Sequence, residues 1–318
     1  MEYKSGSLLH YLYTYAYHED EDSLCKLEMR SFFGYDTDLK MIESPLKIDP
    51  SRSPFIKDRI AIFYKGETLE EIAQYVTDLH TKDRTFKVTV VNNHDLIKSE
   101  QIEFKVRREI EKEIGLLIEG PVNLNDPDLI FAIKQLKDGW VFGEYMKSES
   151  IWLHHQKKPQ NYSTALNTRD ARAIVNIAVP HPNGQKVIDP CCGIGTVLLE
   201  ALSMDIAIEG SDRNPLATTG ARENILFFGY EGDVLLRNIN EITGHYDVAI
   251  VDMPYNLCSV LPVEEKLSML KSARRFTNNV IIITIETIDS IITEAGFKII
   301  DRCVARKSGF IRHVIVCE

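Results

Sequence analysis

The chain has no run of about 18 uninterrupted apolar residues, the length a membrane-spanning helix needs. Its opening, Met1 to Tyr17, is rich in aromatics but lacks a basic start and a continuous apolar stretch, and His10 interrupts it. That excludes an export signal of the usual kind and leaves a soluble, cytoplasmic protein as the expectation. The six cysteines (Cys25, Cys191, Cys192, Cys258, Cys303 and Cys317) include no C-x-x-C pair, and Cys191 and Cys192 are adjacent. A disulfide scaffold is therefore not expected. Paired His/Cys spacings are missing too, so no metal site is expected. Internal repeats and low-complexity tracts are also absent.

What is present suits two to three packed domains: 318 residues, 44% of them apolar. The formal net charge is −10, which taken globally argues against a nucleic-acid partner. The distribution is uneven, however. Residues 1–50 carry five Lys/Arg against ten Asp/Glu, whereas residues 82–112 carry eight against six and residues 131–172 seven against four. The mild positive balance is confined to the middle of the chain. It fits either an ordinary solvated surface or, if clustered on one face, phosphate binding.

The C-terminal half of the chain alternates regularly. Strand-like runs at 186–189, 206–211, 233–236, 246–251 and 280–285 are separated by helical stretches at 195–204, 215–228, 263–276 and 287–295. Two closing runs, 297–306 and 310–317, have only Lys307-Ser308-Gly309 between them, which permits a hairpin and forbids a helical crossover. The expected architecture is α/β: a doubly wound, Rossmann-like parallel sheet with an antiparallel last strand. The N-terminal half reads as α+β, with strands at 59–64, 86–91, 129–136 and 140–145 and helices at 69–80 and 98–114. Residues 148–168 read as a linker.

Two strand-end turns, at 189–196 and 252–255, carry the chemistry. The first is Asp189-Pro190-Cys191-Cys192-Gly193-Ile194-Gly195-Thr196. Its glycines admit close backbone approach, and the following helix start offers unpaired N–H groups. The spacing is G-x-G-T, so the G-x-G-x-x-G dinucleotide fingerprint is incomplete. An acid at the strand end repels a pyrophosphate but suits a cationic cofactor such as S-adenosylmethionine, which carries an ammonium and a sulfonium. Asp212, followed by Arg213, ends the next strand where an acid can accept both ribose hydroxyls of an adenosine. Asp233 either bonds the adenine amino group, with Val234 packing on the ring, or is a solvent-facing loop acid.

The second turn is Asp252-Met253-Pro254-Tyr255. An exocyclic amine on a base is a weak nucleophile because its lone pair is delocalised into the ring. A carboxylate at Asp252 and the Pro254 carbonyl can accept its two hydrogens, while Tyr255 stacks a flipped base. Cys192 and Cys258 are read as packing residues, and His154-His155 as a solvated pair.

These motifs resemble those of THUMP-domain RNA methyltransferases, specifically the group that methylates the guanine 2-amino group in tRNA. Val122-Asn123-Leu124-Asn125-Asp126-Pro127-Asp128 is similar to the family's V-D-L-x-N-P-D signature. Asp189–Thr196 is similar to D-P-F-C-G-T-G-T, and Asp252–Tyr255 to D-P-P-Y. Cys191 and Ile194 replace Phe and Thr, and Met253 replaces the first proline. Lys158-Pro159, Ala165-Leu166 and Ala171-Arg172-Ala173 look like the run leading into the catalytic domain, where the family implies that Thr164 and Leu166 border the cofactor. The resemblance implies a ferredoxin-like segment at 1–58, a THUMP domain at 59–147 and a methyltransferase domain at 169–318. It also implies S-adenosylmethionine as cofactor and tRNA as partner, with a monomer assumed. The alternatives are amino-methylation of adenine or cytosine in RNA or DNA, and a non-catalytic RNA-binding protein that keeps the fold.

Overall fold

The computed structural model describes residues 9–92, 101–162, 165–254, 261–307 and 310–318. In chain order its first elements are β1 (Tyr11–Tyr15), α1 (Asp22–Phe33), β2 (Met41–Ser44), β3 (Ile56–Gly66), α2 (Leu69–Val76), β4 (Phe86–Val90), α3 (Phe104–Leu117), β5 (Leu129–Leu136) and β6 (Gly139–Lys147). There follow α4 (Ile151–His155), α5 (Thr168–Ala178), β7 (Val187–Asp189), α6 (Thr196–Leu202), β8 (Ile208–Asp212), α7 (Pro215–Phe227) and β9 (Val234–Leu236). The chain closes with β10 (Val248–Asp252), α8 (Val263–Phe276), β11 (Val280–Thr284), α9 (Asp289–Glu294), β12 (Ile299–Lys307) and β13 (Phe310–Cys317).

These elements form two compact units. The first comprises the described parts of Met1–Ala16, Thr37–Ser51 and Ile56–Glu149. It contains one six-stranded sheet in the order β2-β1-β3-β6-β5-β4, in which only β4 and β5 run parallel. The apolar stripes of α2 and α3 (Ile72, Val76, Ile110 and Ile114) close over Phe86, Val88, Phe131 and Phe142. The division expected after residue 58 falls inside β3, because β1 pairs with β3 and draws both segments into one sheet.

The second unit comprises Tyr17–Asp36, Arg52–Phe55 and the described parts of Ser150–Glu318. Its sheet runs β12-β13-β11-β10-β7-β8-β9, parallel from β11 to β9 and antiparallel at β13 and β12, as the sequence pattern predicts. β10 and β11 are apolar almost throughout because helices cover both faces. On one face Ala249, Val251 and Ile282 pack with Leu270, Phe276 and Ile292 of α8 and α9. On the other, α5 packs against β10 and β11. α7 begins as its sequence dictates, with the Asn214 side chain accepting from the Leu216 N–H (3.0 Å) and Pro215 in the first turn.

Two parts of the second unit differ from expectation. Helix α1 packs here, on α5 and β12. Its fully buried Glu28 accepts from Ser53 Oγ and from Asn176 Nδ2 (2.7 Å). The stretch read as a linker contains α4, and His155 is no solvated residue. It is 1% exposed, with its ring nitrogens on Glu200 (2.7 Å) and on the Tyr230 hydroxyl (3.1 Å). Arg172 completes that buried network on the second Glu200 oxygen at 2.9 Å. His154 alone is exposed.

Gly143 marks the closest approach of a described glycine to backbone in the first unit. Paired with Ile62, it lies so close to β3 that a Cβ would sit 1.9 Å from the Ala61 carbonyl oxygen. Backbone cannot yield as a side-chain tip can. Gly143→Ala is expected to destabilise the chain by about 1–3 kcal/mol, read as a lower urea midpoint; an unchanged midpoint would contradict the packing described.

Candidate active site

The carboxyl ends of β7, β8, β9 and β10 frame a cavity of about 420 Å3, within the usual range for a small-molecule site. Its lining includes Pro190, Cys191 and Gly193 from the loop after β7, Asp212 to Asn214 after β8, Asn238 to Asn240 after β9, and Asp252 to Pro254 after β10. Tyr162, Glu265 and Met269 complete it.

The loop between β7 and α6 is fixed from several sides. Gly193 and Gly195 sit at φ +53° and +77°, a region that a side chain would strain. The Gly193 N–H donates to Asp212 Oδ2 (3.0 Å), and the Asn214 N–H donates to Asp212 Oδ1 (2.8 Å). The Cys192 N–H donates to the Ser211 carbonyl at 3.0 Å. The fully buried Asn224 of α7 donates to the Ile194 carbonyl (2.9 Å) and to that of Gln160 (3.0 Å). Gly195 allows α7 to approach, since a Cβ there would lie 3.1 Å from that of Ala221.

Electrostatically the site is acidic. Asp189 is buried, accepts from the Cys191 N–H at 3.1 Å, and is pushed well above the ordinary carboxylate range by burial, with Asp252 and Asp212 adding like-charge repulsion. Asp252 is pushed up to about 7, again by burial, with the Arg312 charge opposing the rise. Its Oδ1 is buried and, among the described residues, has no hydrogen-bond partner. An unsatisfied acceptor aimed at a cavity is costly unless a ligand donates to it. Burial raises the thiols of Cys191 and Cys192 as well, so both stay protonated and neither is an activated nucleophile. At the rim, Arg213 and Glu265 form an exposed ion pair at 2.8 Å.

Comparison with known proteins agrees with this geometry. Residues 155–259 match the model of the RMKL-like methyltransferase domain. The matched stretch holds both strand-end turns and every strand that frames the cavity. Two curated relatives are tRNA (guanine(10)-N2)-dimethyltransferases. The chain is 24% identical to that of Methanothermobacter thermautotrophicus over 47% of this chain and 48% of the relative. It is 26% identical to that of Pyrococcus abyssi over 49% and 50%. The chain thus spans about half the length of these curated relatives in its matches. Among solved structures, TrmN from Thermus thermophilus superposes with a TM-score of 0.50 at 18% identity, over 97% of this chain and 99% of that one, which establishes the shared fold.

The cavity fits S-adenosylmethionine. Gly193 presents backbone without a side chain, Asp212 lines the cavity, and the surrounding carboxylates favour a cation.

The structure brings together most, though not all, of the residues the sequence points to. Pro190, Gly193, Asp212, Arg213, Asp252 and Pro254 line the cavity. Asp189, Cys192, Gly195, Thr196 and Leu166 are buried and do not line it. Thr164, Tyr255 and Cys258 lie outside the described residues. Asp233 and Val234 are not at the site. They stand at the amino end of β9, where Asp233 lines a separate depression with Lys186 and Tyr246 and its carbonyl accepts from the Gly210 N–H at 2.8 Å. In a parallel sheet the ligand edge is the carboxyl edge, and there β9 delivers Asn238 and Ile239 instead. Asn238 also caps the following turn, accepting from the Asn240 N–H at 3.0 Å. Its signal in the sequence was its place just after a strand end, the same logic that identifies Asp212. Tyr162 is another residue missed; its hydroxyl would lie 2.5 Å from a Cβ on Gly193.

Because Asp212 holds the loop through two charge-assisted bonds, Asp212→Ala is expected to weaken binding of S-adenosylhomocysteine at least about tenfold. Calorimetric titration reads this directly; affinity within twofold of wild type would show that Asp212 does not organise the site.

Proposed function

We propose that this protein transfers a methyl group from S-adenosylmethionine to the exocyclic 2-amino group of a guanosine in tRNA, in the cytoplasm. The observation that carries the reading is Asp252 Oδ1: a buried carboxylate oxygen without a hydrogen-bond partner among the described residues, at the rim of a cofactor-sized cavity, on the strand next to the glycine loop. Such an oxygen accepts one amine hydrogen, and the Pro254 carbonyl accepts the other. Drawing on both hydrogens localises the nitrogen lone pair toward the methyl donor. The bound cofactor supplies an electrophilic methyl on a sulfonium. The remaining work of the chain is positioning and exclusion of water. Tyr255 is assigned the stacking of the flipped base, and Thr164 a place at the cofactor's border.

We assign RNA holding to the first unit, with residues 59–147 as its THUMP-like part. Support comes from a concavity of about 510 Å3 whose lining includes Lys87, Phe104, Arg107, Leu124 and Asn125, with Arg108 paired to Glu111 at 3.1 Å. Phe104 is 66% exposed, with the Arg107 and Arg108 guanidiniums 5.6 and 5.4 Å from its ring centre. Cations around an open aromatic face suit a phosphate backbone and a stacked base. The adjoining Asn123–Asp128 turn is held by Asn123, whose Oδ1 accepts from the Asn125 and Asp126 N–H groups, both at 3.1 Å. The names of the curated relatives support the guanine 2-amino group over other amines.

The test is methyl transfer from labelled donor to unmodified tRNA. Asp252→Ala is expected to reduce the rate at least about 100-fold while donor affinity stays within threefold. In the wild type the rate should rise with pH through about 7, since only the ionised Asp252 accepts from the amine. Normal turnover by the variant, or a rate that falls as pH rises through 7, would refute the assignment.

A further inference from the structure

One buried cation shares the Asp252 face of the sheet and has no role so far. Register places Asp252 of β10 beside Ile283 of β11, and Ile283 beside Val314 of β13. Side chains alternate along a strand, so Arg312, two positions before Val314, stands on the same face as Asp252. β13 runs antiparallel to β11. The step from Val314 back to Arg312 therefore moves toward the edge of the sheet where the cavity opens. Arg312 is 5% exposed, an uncommon place for a guanidinium unless a negative group balances it. Asp252, whose buried Oδ1 has no hydrogen-bond partner among the described residues, is a negative group on that face whose ionised form this charge favours.

We propose that Arg312 is a positioning residue for methyl transfer: its guanidinium, buried on the Asp252 face of the sheet, keeps that carboxylate an acceptor for the substrate amine. The proposal rests on the amino-methylation reading for its consequence, but not for its geometry. Burial favours the protonated acid at Asp252, and an acid proton there would face an N–H it should receive. Arg312 opposes that outcome. The other charges nearby do not serve. Asp189 on β7 repels Asp252, as Asp212 on β8 repels Asp189. Arg213 is paired with Glu265 at the rim. On α5, Arg169 pairs with Glu21, Asp170 accepts from Asn167, and Arg172 pairs with Glu200.

The experiment uses the full chain without RNA. Carbon-13 NMR of labelled aspartate carboxyls follows the titration of Asp252, with Asp252→Asn assigning the signal. In the wild type it should titrate near 7. In Arg312→Met it should move up by about one unit, and in Arg312→Lys it should stay close to wild type. Arg312→Gln, which removes the charge but keeps a polar side chain, repeats the test if the methionine variant does not fold. Methyl transfer to tRNA by the uncharged variant should fall about fivefold at pH 7 and recover above about pH 9. An Asp252 signal that titrates at the wild-type pH without the Arg312 charge overturns the proposal, whatever the activity. A shifted signal in a chain that methylates no RNA amine would uphold the charge coupling and refute the functional reading instead.

Discussion

Three carboxylates end three neighbouring strands, β10, β7 and β8, and the arrangement of the site follows from how unequally they are satisfied. Asp212 has a backbone N–H on each oxygen. Asp189 has one N–H and is otherwise buried. Asp252 has an oxygen with none among the described residues. Burial and mutual repulsion make such a cluster unfavourable unless positive or proton-donating groups meet it. The first two acids spend their capacity on the glycine loop and on the cation-friendly field around it. The third is left to bind something that donates. The fold supports this division because a parallel sheet covered on both faces delivers all its strand ends to one edge, while helix α7 braces the loop through Asn224.

The departure at Met253 becomes intelligible in the same terms. Its N–H donates to the Ile283 carbonyl at 2.9 Å, extending the β10–β11 ladder by a bond that proline cannot make. Its side chain packs into the core shared by Met269 and Ile282. The turn gives up the φ restriction of a proline and gains a hydrogen bond worth about 1 kcal/mol. Asp252 and Pro254, which face the cavity, are untouched by the exchange.

The second unit was legible in the sequence because its signals are local. Apolar β runs, the Asn214-Pro215 helix start and the short gap before the last strand each announce themselves within one turn or one strand. The errors arose where the deciding contact is distant. That β1 joins β3, and that α1 belongs with α5, depends on pairing between segments far apart in the chain, which no local window reveals. Helix α4 is too short for its period to show, and only the buried Glu200 and Tyr230 reveal why His155 lies inside. Asp233 was misplaced by its residue type: an acid near a strand attracts attention, but it stands at the wrong end of β9, and Asn238 holds the position that matters.

The central claim is that Asp252 and its neighbours grip the 2-amino group of a guanine. Incubating unmodified tRNA with the protein and S-adenosylmethionine, then digesting it to nucleosides for mass spectrometry, tests that claim most directly. The account predicts methylated guanosine carrying the added mass on N2, once or twice, and no other methylated nucleoside. Methylation confined to adenosine, to cytidine or to a ring carbon would contradict it.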